Sequence, residues 1–115
     1  MSRLGYASRA DLPPEEQPIY DRIEATRGKV LNVFRAMLKS PGAAEAVAAV
    51  GEYIRYKSRL DSVVREITTL MTAHEHDNEY EWAQHLPLAR QAGVSEQAID
   101  AIRSGRAPMG IPAKE

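Results

Sequence analysis

Between residues 60 and 74 the apolar residues recur at intervals of three and four: Leu60, Val63, Val64, Ile67, Leu70 and Met71, with His74 continuing the line. An α-helix turning about 100° per residue gathers such a set onto one face. A strand would scatter it over both faces, because strand side chains alternate. Ser58 or Asp61 can cap this helix by accepting hydrogen bonds from its first free N–H groups. Glu66 falls at the edge of the stripe, about 90° from its centre, and is expected to face an inter-helix space without full burial.

The rest of the chain reads the same way. Pro18 suits the first turn of a helix over 18–27, which Gly28 ends. Leu31, Phe34, Met37 and Leu38 mark a second helix over 30–38, closed by Ser40-Pro41-Gly42. An alanine-rich third helix is expected over 43–56, where Gly51 is unfavourable by about 1 kcal/mol relative to Ala unless packing needs it. Asp77-Asn78 breaks the chain before a fifth helix over 79–92, kinked at Pro87 and stopped by Gly93. Ser95 caps a sixth helix running to about residue 103. No alternating strand pattern of useful length occurs. The expectation is an all-α compact bundle of about six helices. Residues 1–13 form an irregular lead, 14–104 one helical domain with one core, and 105–115 an irregular tail.

Composition narrows the function classes. A net charge of −1 over 115 residues argues against a dedicated nucleic-acid binder. There is no cysteine, which excludes disulfides, thiolate metal sites and thiol redox chemistry. No signal-peptide pattern and no apolar run long enough to span a membrane is seen, so a cytoplasmic setting is expected, with no membrane partner. Apolar faces on nearly every short helix predict self-association.

The chemistry-bearing stretch is Asn78-Glu79-Tyr80-Glu81-Trp82-Ala83-Gln84-His85. On a helix, Asn78, Glu81 and His85 lie within roughly 60° of one another. Histidine takes and returns protons near neutral pH, and a neighbouring carboxylate orients its ring. Glu81 and His85 are one turn apart, and Glu66 could supply a second carboxylate from the preceding helix. Asn78 could donate to a developing oxyanion, with Tyr80 as a further donor. Trp82 reads as core that could also line a pocket. The blander reading of the pair is a surface i,i+4 contact worth a few tenths of a kcal/mol.

Other candidates are poorer. His74 and His76 point about 200° apart on a helix and lack zinc-protease spacing, so no metal site is expected. Arg35 could hold a substrate carboxylate, though a solvated arginine is commoner. No phosphate-cradling glycine loop or nucleophile-elbow serine is present.

Glu66, then Tyr80-Glu81-Trp82-x-x-His85, then Ala89 and Gly93, together with Asn32-Val33-Phe34-Arg35-Ala36 and Ser40-Pro41 upstream, resemble the carboxymuconolactone decarboxylase superfamily, which includes alkylhydroperoxidase D. The resemblance covers roughly residues 10–105. The peroxidase branch spaces a Glu, eleven residues, Cys, two residues, Cys, three residues and His. Here the Glu falls on Glu66 and the His on His85, but Asn78 and Glu81 stand at the cysteine positions. The resemblance is therefore to the Cys-less branch, without thiol peroxidase chemistry. It implies an alkylhydroperoxidase D-like helical fold, a trimer or hexamer, and cofactor-free proton transfer of lyase type on small, often carboxylated molecules. On that reading His85 is the general acid/base, Glu81 orients it and Glu66 acts through the cavity. Asn78, Tyr80 and Trp82 would contact the substrate. The rival reading is a non-catalytic, oligomer-forming domain whose Glu/Asn/His groups are a structural network.

Overall fold

The computed structural model describes residues 3–108. Six α-helices follow one another: α1 (Gln17–Arg27), α2 (Asn32–Met37), α3 (Pro41–Glu52), α4 (Ser62–Glu75), α5 (Glu79–Ala92) and α6 (Glu96–Arg103). A 3-10 turn at Arg9–Asp11 lies ahead of α1, inside the segment expected to be irregular. No strand occurs among the described residues, so the all-α expectation holds. No described helix is long and apolar enough to cross a membrane. Of the expected irregular tail, residues 109–115 lie outside the described part.

Length alone suggested one core. The buried apolar side chains instead form two clusters, and the chain divides into two compact units between Ser58 and Arg59.

The first unit gathers Ala7, Leu12, Ile23, Leu38, Ala44 and Ala48. Gly28 ends α1 in the left-handed conformation, φ 76°, which glycine adopts without steric cost. Arg27 turns back to donate to the Ala48 carbonyl at 2.9 Å, its guanidinium 4.6 Å from the centre of the Phe34 ring. A Cβ at position 51 would stand 3.2 Å from that guanidinium. Arg35 is also structural: its Nε donates to the Ala7 carbonyl at 3.0 Å, and its own carbonyl accepts from Ala7 N–H at 3.0 Å.

The third helix is shorter than expected. Its α-helical part stops at Glu52 and widens into a π-helical turn at Tyr53–Lys57. There Ser58 N–H reaches the Tyr53 carbonyl at 2.8 Å, five residues back, and Ser58 Oγ donates to the Ile54 carbonyl at 2.7 Å. Bonds of this kind satisfy carbonyls at a helix end that would otherwise lack partners.

The second unit holds α4, α5 and α6. Asp61, rather than Ser58, caps α4: its carboxylate accepts from Val63 N–H at 2.9 Å and Val64 N–H at 3.4 Å. A cap of this type contributes about 1 kcal/mol. Asp77 takes the left-handed conformation, φ 49°, and Asn78 caps α5, so the fifth helix folds back along the fourth. It runs through Pro87 to Gly93, whose φ of 98° closes it. Ser95 caps α6, accepting from Ala98 N–H at 3.1 Å. Arg90 grips Glu96 through both carboxylate oxygens at 2.7 and 3.2 Å. That hydrogen bonding holds the Glu96 carboxyl below its ordinary range. The core is Ile67, Leu70, Ala89, Val94, Ala98, Ile99 and Ile102, with Val63, Trp82 and Leu86 against it.

Candidate active site

Glu66 sits in the interior of this second unit, one turn before Leu70. Its side chain is 1% exposed, which corrects the expectation of partial burial. The phase of α4 explains the difference. The residues it buries are Glu66, Ile67, Leu70 and Ala73, while Leu60, Val64 and Met71 are exposed. The buried face is therefore rotated by about 60° from the centre of the apolar stripe, toward Glu66.

A carboxylate in such a place needs partners. Glu66 has one on each oxygen: Arg65 Nε donates to Oε1 at 3.1 Å, and Oε2 lies 2.7 Å from His85 Nδ1. Among the described residues no buried side-chain polar atom lacks a hydrogen-bond partner. Arg65 was not singled out from the sequence. Its position next to the glutamate is the one signal the sequence carries.

His85 reaches Glu66 from the middle of α5, with its side chain 19% exposed. Its other nitrogen, Nε2, stands 3.6 Å from Glu81 Oε2, beyond hydrogen-bond length but within ion-pair range. Glu81 is about one-third exposed. The three groups form a line from interior to surface: Glu66, the imidazole, Glu81. The expected order had Glu81 orienting the ring and Glu66 more remote. The geometry has Glu66 holding the ring and Glu81 flanking its outer edge.

With Nδ1–H donated to Glu66, the neutral ring carries its lone pair on Nε2. A proton taken there creates an imidazolium between two carboxylates, each of which stabilises the new charge. Glu66 is also too well buried to swing away. The arrangement can therefore take up and return a proton at one defined atom.

Of the expected substrate-contact residues, Asn78 and Trp82 border one cavity, which Tyr80 does not line. Asn78 is exposed, and its Oδ1 accepts from Glu81 N–H at 3.1 Å as the α5 cap. Tyr80 is exposed. Trp82 packs against the core, as expected, and borders a cavity of about 460 Å³ with His74 and Arg103. Arg103 lies 5.2 Å from the Trp82 ring centre, and His74 meets that ring edge-on at 6.4 Å. A second cavity, of about 340 Å³, opens where Asn78 and Glu81 face Thr69, Thr72 and His76 of the α4 end. Glu81, which borders this second cavity, stands 3.6 Å from His85 Nε2, while the ring itself is not part of the lining. Among the described residues no three carboxylate or imidazole groups gather as a metal-binding set.

Comparison with known proteins agrees with the sequence resemblance over much of the chain. No curated protein and no solved structure matches it. The model of the carboxymuconolactone decarboxylase family matches residues 41–115, leaving out the upstream segment around Asn32–Arg35 that also resembled it. The matched stretch is well over half of the sequence and contains the whole line from Glu66 through His85 to Glu81, and the chain belongs to the carboxymuconolactone decarboxylase family.

Proposed function

We propose that the protein is a cofactor-free acid/base enzyme of lyase type acting on a small molecule. The observation that carries this reading is the 2.7 Å contact between His85 Nδ1 and a fully buried Glu66, with Nε2 turned toward Glu81 and partial solvent exposure. A ring held at one nitrogen and left reachable at the other is suited to general acid/base work. His85 carries the proton. Glu66 fixes the ring and its tautomer. Glu81 stands where it can meet the substrate and steady the imidazolium. The chain has no cysteine, so the proposed chemistry runs without a thiol intermediate. A cytoplasmic setting belongs to the same proposal.

Lactones, enoyl acids and small keto or hydroxy compounds, offered to the wild type and to His85→Ala, test it. Turnover by the wild type is expected to fall by at least about a hundredfold in His85→Ala, the usual contribution of a positioned acid/base group. Turnover that survives the substitution would remove His85 from the mechanism. The full satisfaction of Glu66 favours one other reading, a structural network in a non-catalytic domain. Absence of any turnover, with a loss of stability in His85→Ala, would support that one.

Self-association into a trimer or hexamer is also proposed. Its support is the exposed apolar side chains in each unit: Val47 and Val50 on α3 with Tyr53 and Ile54 on the π-helical turn in the first, and Val64 and Met71 on α4 in the second. Side chains of this size exposed together on short helices mark association surfaces. Light scattering is expected to give a multiple of 12.8 kDa at micromolar concentration, and a clean monomer would refute the assembly.

A further inference from the structure

The cavity at Glu81 has a lopsided supply of hydrogen-bonding groups. Three threonines of α4 border it, and each has already used its hydroxyl proton within its own helix. Thr68 Oγ1 donates to the Val64 carbonyl at 2.8 Å, Thr69 Oγ1 to the Arg65 carbonyl at 2.9 Å, and Thr72 Oγ1 to the Thr68 carbonyl at 2.8 Å. A hydroxyl whose proton is spent offers only lone pairs. Glu81 adds an acceptor-only carboxylate. On the donor side are the Asn78 amide nitrogen, whose companion oxygen is held by Glu81 N–H, and the His76 ring. Among the described residues no lysine or arginine borders this cavity.

A ligand carboxylate entering here would meet Glu81 as a like charge and three oxygens with no proton to give. Its oxygens would leave water for a site with few donors, which is unfavourable. A ligand whose polar end is itself a donor finds the opposite. A hydroxyl can give its proton to a threonine oxygen or to Glu81, and an ammonium group adds Coulomb attraction to that carboxylate. We propose that this cavity takes a small molecule whose polar end is an alcohol or a primary amine, and that it discriminates against carboxylates. The inference rests on the acid/base reading only for calling the ligand a substrate. The donor preference follows from the cavity lining. It departs from the carboxylated substrates that the family resemblance led one to expect.

Three probes of matched shape test it: cyclohexylamine (as its ammonium ion), cyclohexanol and cyclohexanecarboxylate, at equal ionic strength. Binding is followed on the backbone amide signals of Thr69, Thr72, Asn78 and Glu81 in nitrogen-15-labelled protein. The amine and the alcohol are expected to shift these signals saturably, and the carboxylate is not. The amine should bind tighter than the alcohol by about threefold, the scale of a partly exposed ion pair. Glu81→Gln should erase that gap while the alcohol still binds. Saturable binding of the carboxylate with equal or higher affinity overturns the proposal, and so does failure of all three to shift the signals. Repeating the titration in His85→Ala separates the two readings. Amine and alcohol binding without turnover in the wild type sinks the enzyme and leaves the cavity preference standing. Turnover confined to carboxylates that bind at these signals does the reverse.

Discussion

His85→Ala is expected to destabilise the second unit by about 2–4 kcal/mol, measured by chemical denaturation near neutral pH. The size comes from what the substitution leaves behind. Glu66, 1% exposed with His85 in place, loses the partner at its Oε2 and keeps only Arg65 on Oε1. A buried carboxylate deprived of half its hydrogen bonding must either draw water inward or take up a proton. The partial exposure of the histidine lets some water reach the gap, which sets the expectation toward the lower part of the range for a broken buried pair. Glu66→Gln in the same background removes the charge. The double variant should therefore lose less than the two single losses added together, as coupled neighbours do. A loss below about 0.5 kcal/mol in His85→Ala would mean that the contact behaves as a surface pair, and the picture of a locked ring would fail.

Leu70→Ala is expected to be the most damaging apolar truncation in the second unit, at about 2–5 kcal/mol. Leu70 is 0% exposed and sits in the cluster with Ile67, Ala89, Val94, Ile99 and Ile102. Removing most of its side chain loses transfer energy and leaves a void that three short helices can close only in part. The fluorescence of Trp82, half-buried against the same cluster, reports the transition locally. Met71→Ala is the matched control. Its neighbour position in the sequence stripe suggested equal burial, yet Met71 is 44% exposed. The control should stay within about 0.5 kcal/mol of wild type. Equal losses at 70 and 71 would contradict the phase of α4 described here.

That phase shows how far the sequence could be read. Periodicity finds a helix reliably because the spacing of apolar residues depends only on the turn angle. It located α4, and of the two candidate caps, Ser58 and Asp61, the structure uses Asp61. It misjudged which way the helix faces, since Leu60, Val64 and Met71 carry as much hydrophobic weight as Ile67 and Leu70. Periodicity consequently sets Glu66 at an edge, whereas it lies well within the buried face. The spacing from Glu66 to His85 did point to a shared site, and the two side chains meet. The order of roles could not be read, because it depends on which carboxylate α5 covers. Asn78 was read as a helical side chain on the polar line. It is the cap, a position where asparagine is common because its oxygen can replace a missing backbone acceptor. The π-helical turn at Tyr53–Lys57 leaves no mark in a pattern of apolar spacing, and neither do spent threonine protons.

Asp77 has a consequence for how this segment can vary. Its φ of 49° is a conformation that disfavours branched side chains by roughly 1–2 kcal/mol and that Asn, Asp and Gly tolerate. The joint between α4 and α5 therefore accepts a narrow vocabulary. Glycine or asparagine can replace the aspartate with little disturbance. Valine or isoleucine would push the backbone into another well and reset the angle at which α5 leaves the turn. Because His85 lies two turns beyond, a small swing at the joint becomes a larger displacement at its ring. A change at this exposed turn residue, two helical turns from His85, could thus silence the site while leaving both helices intact.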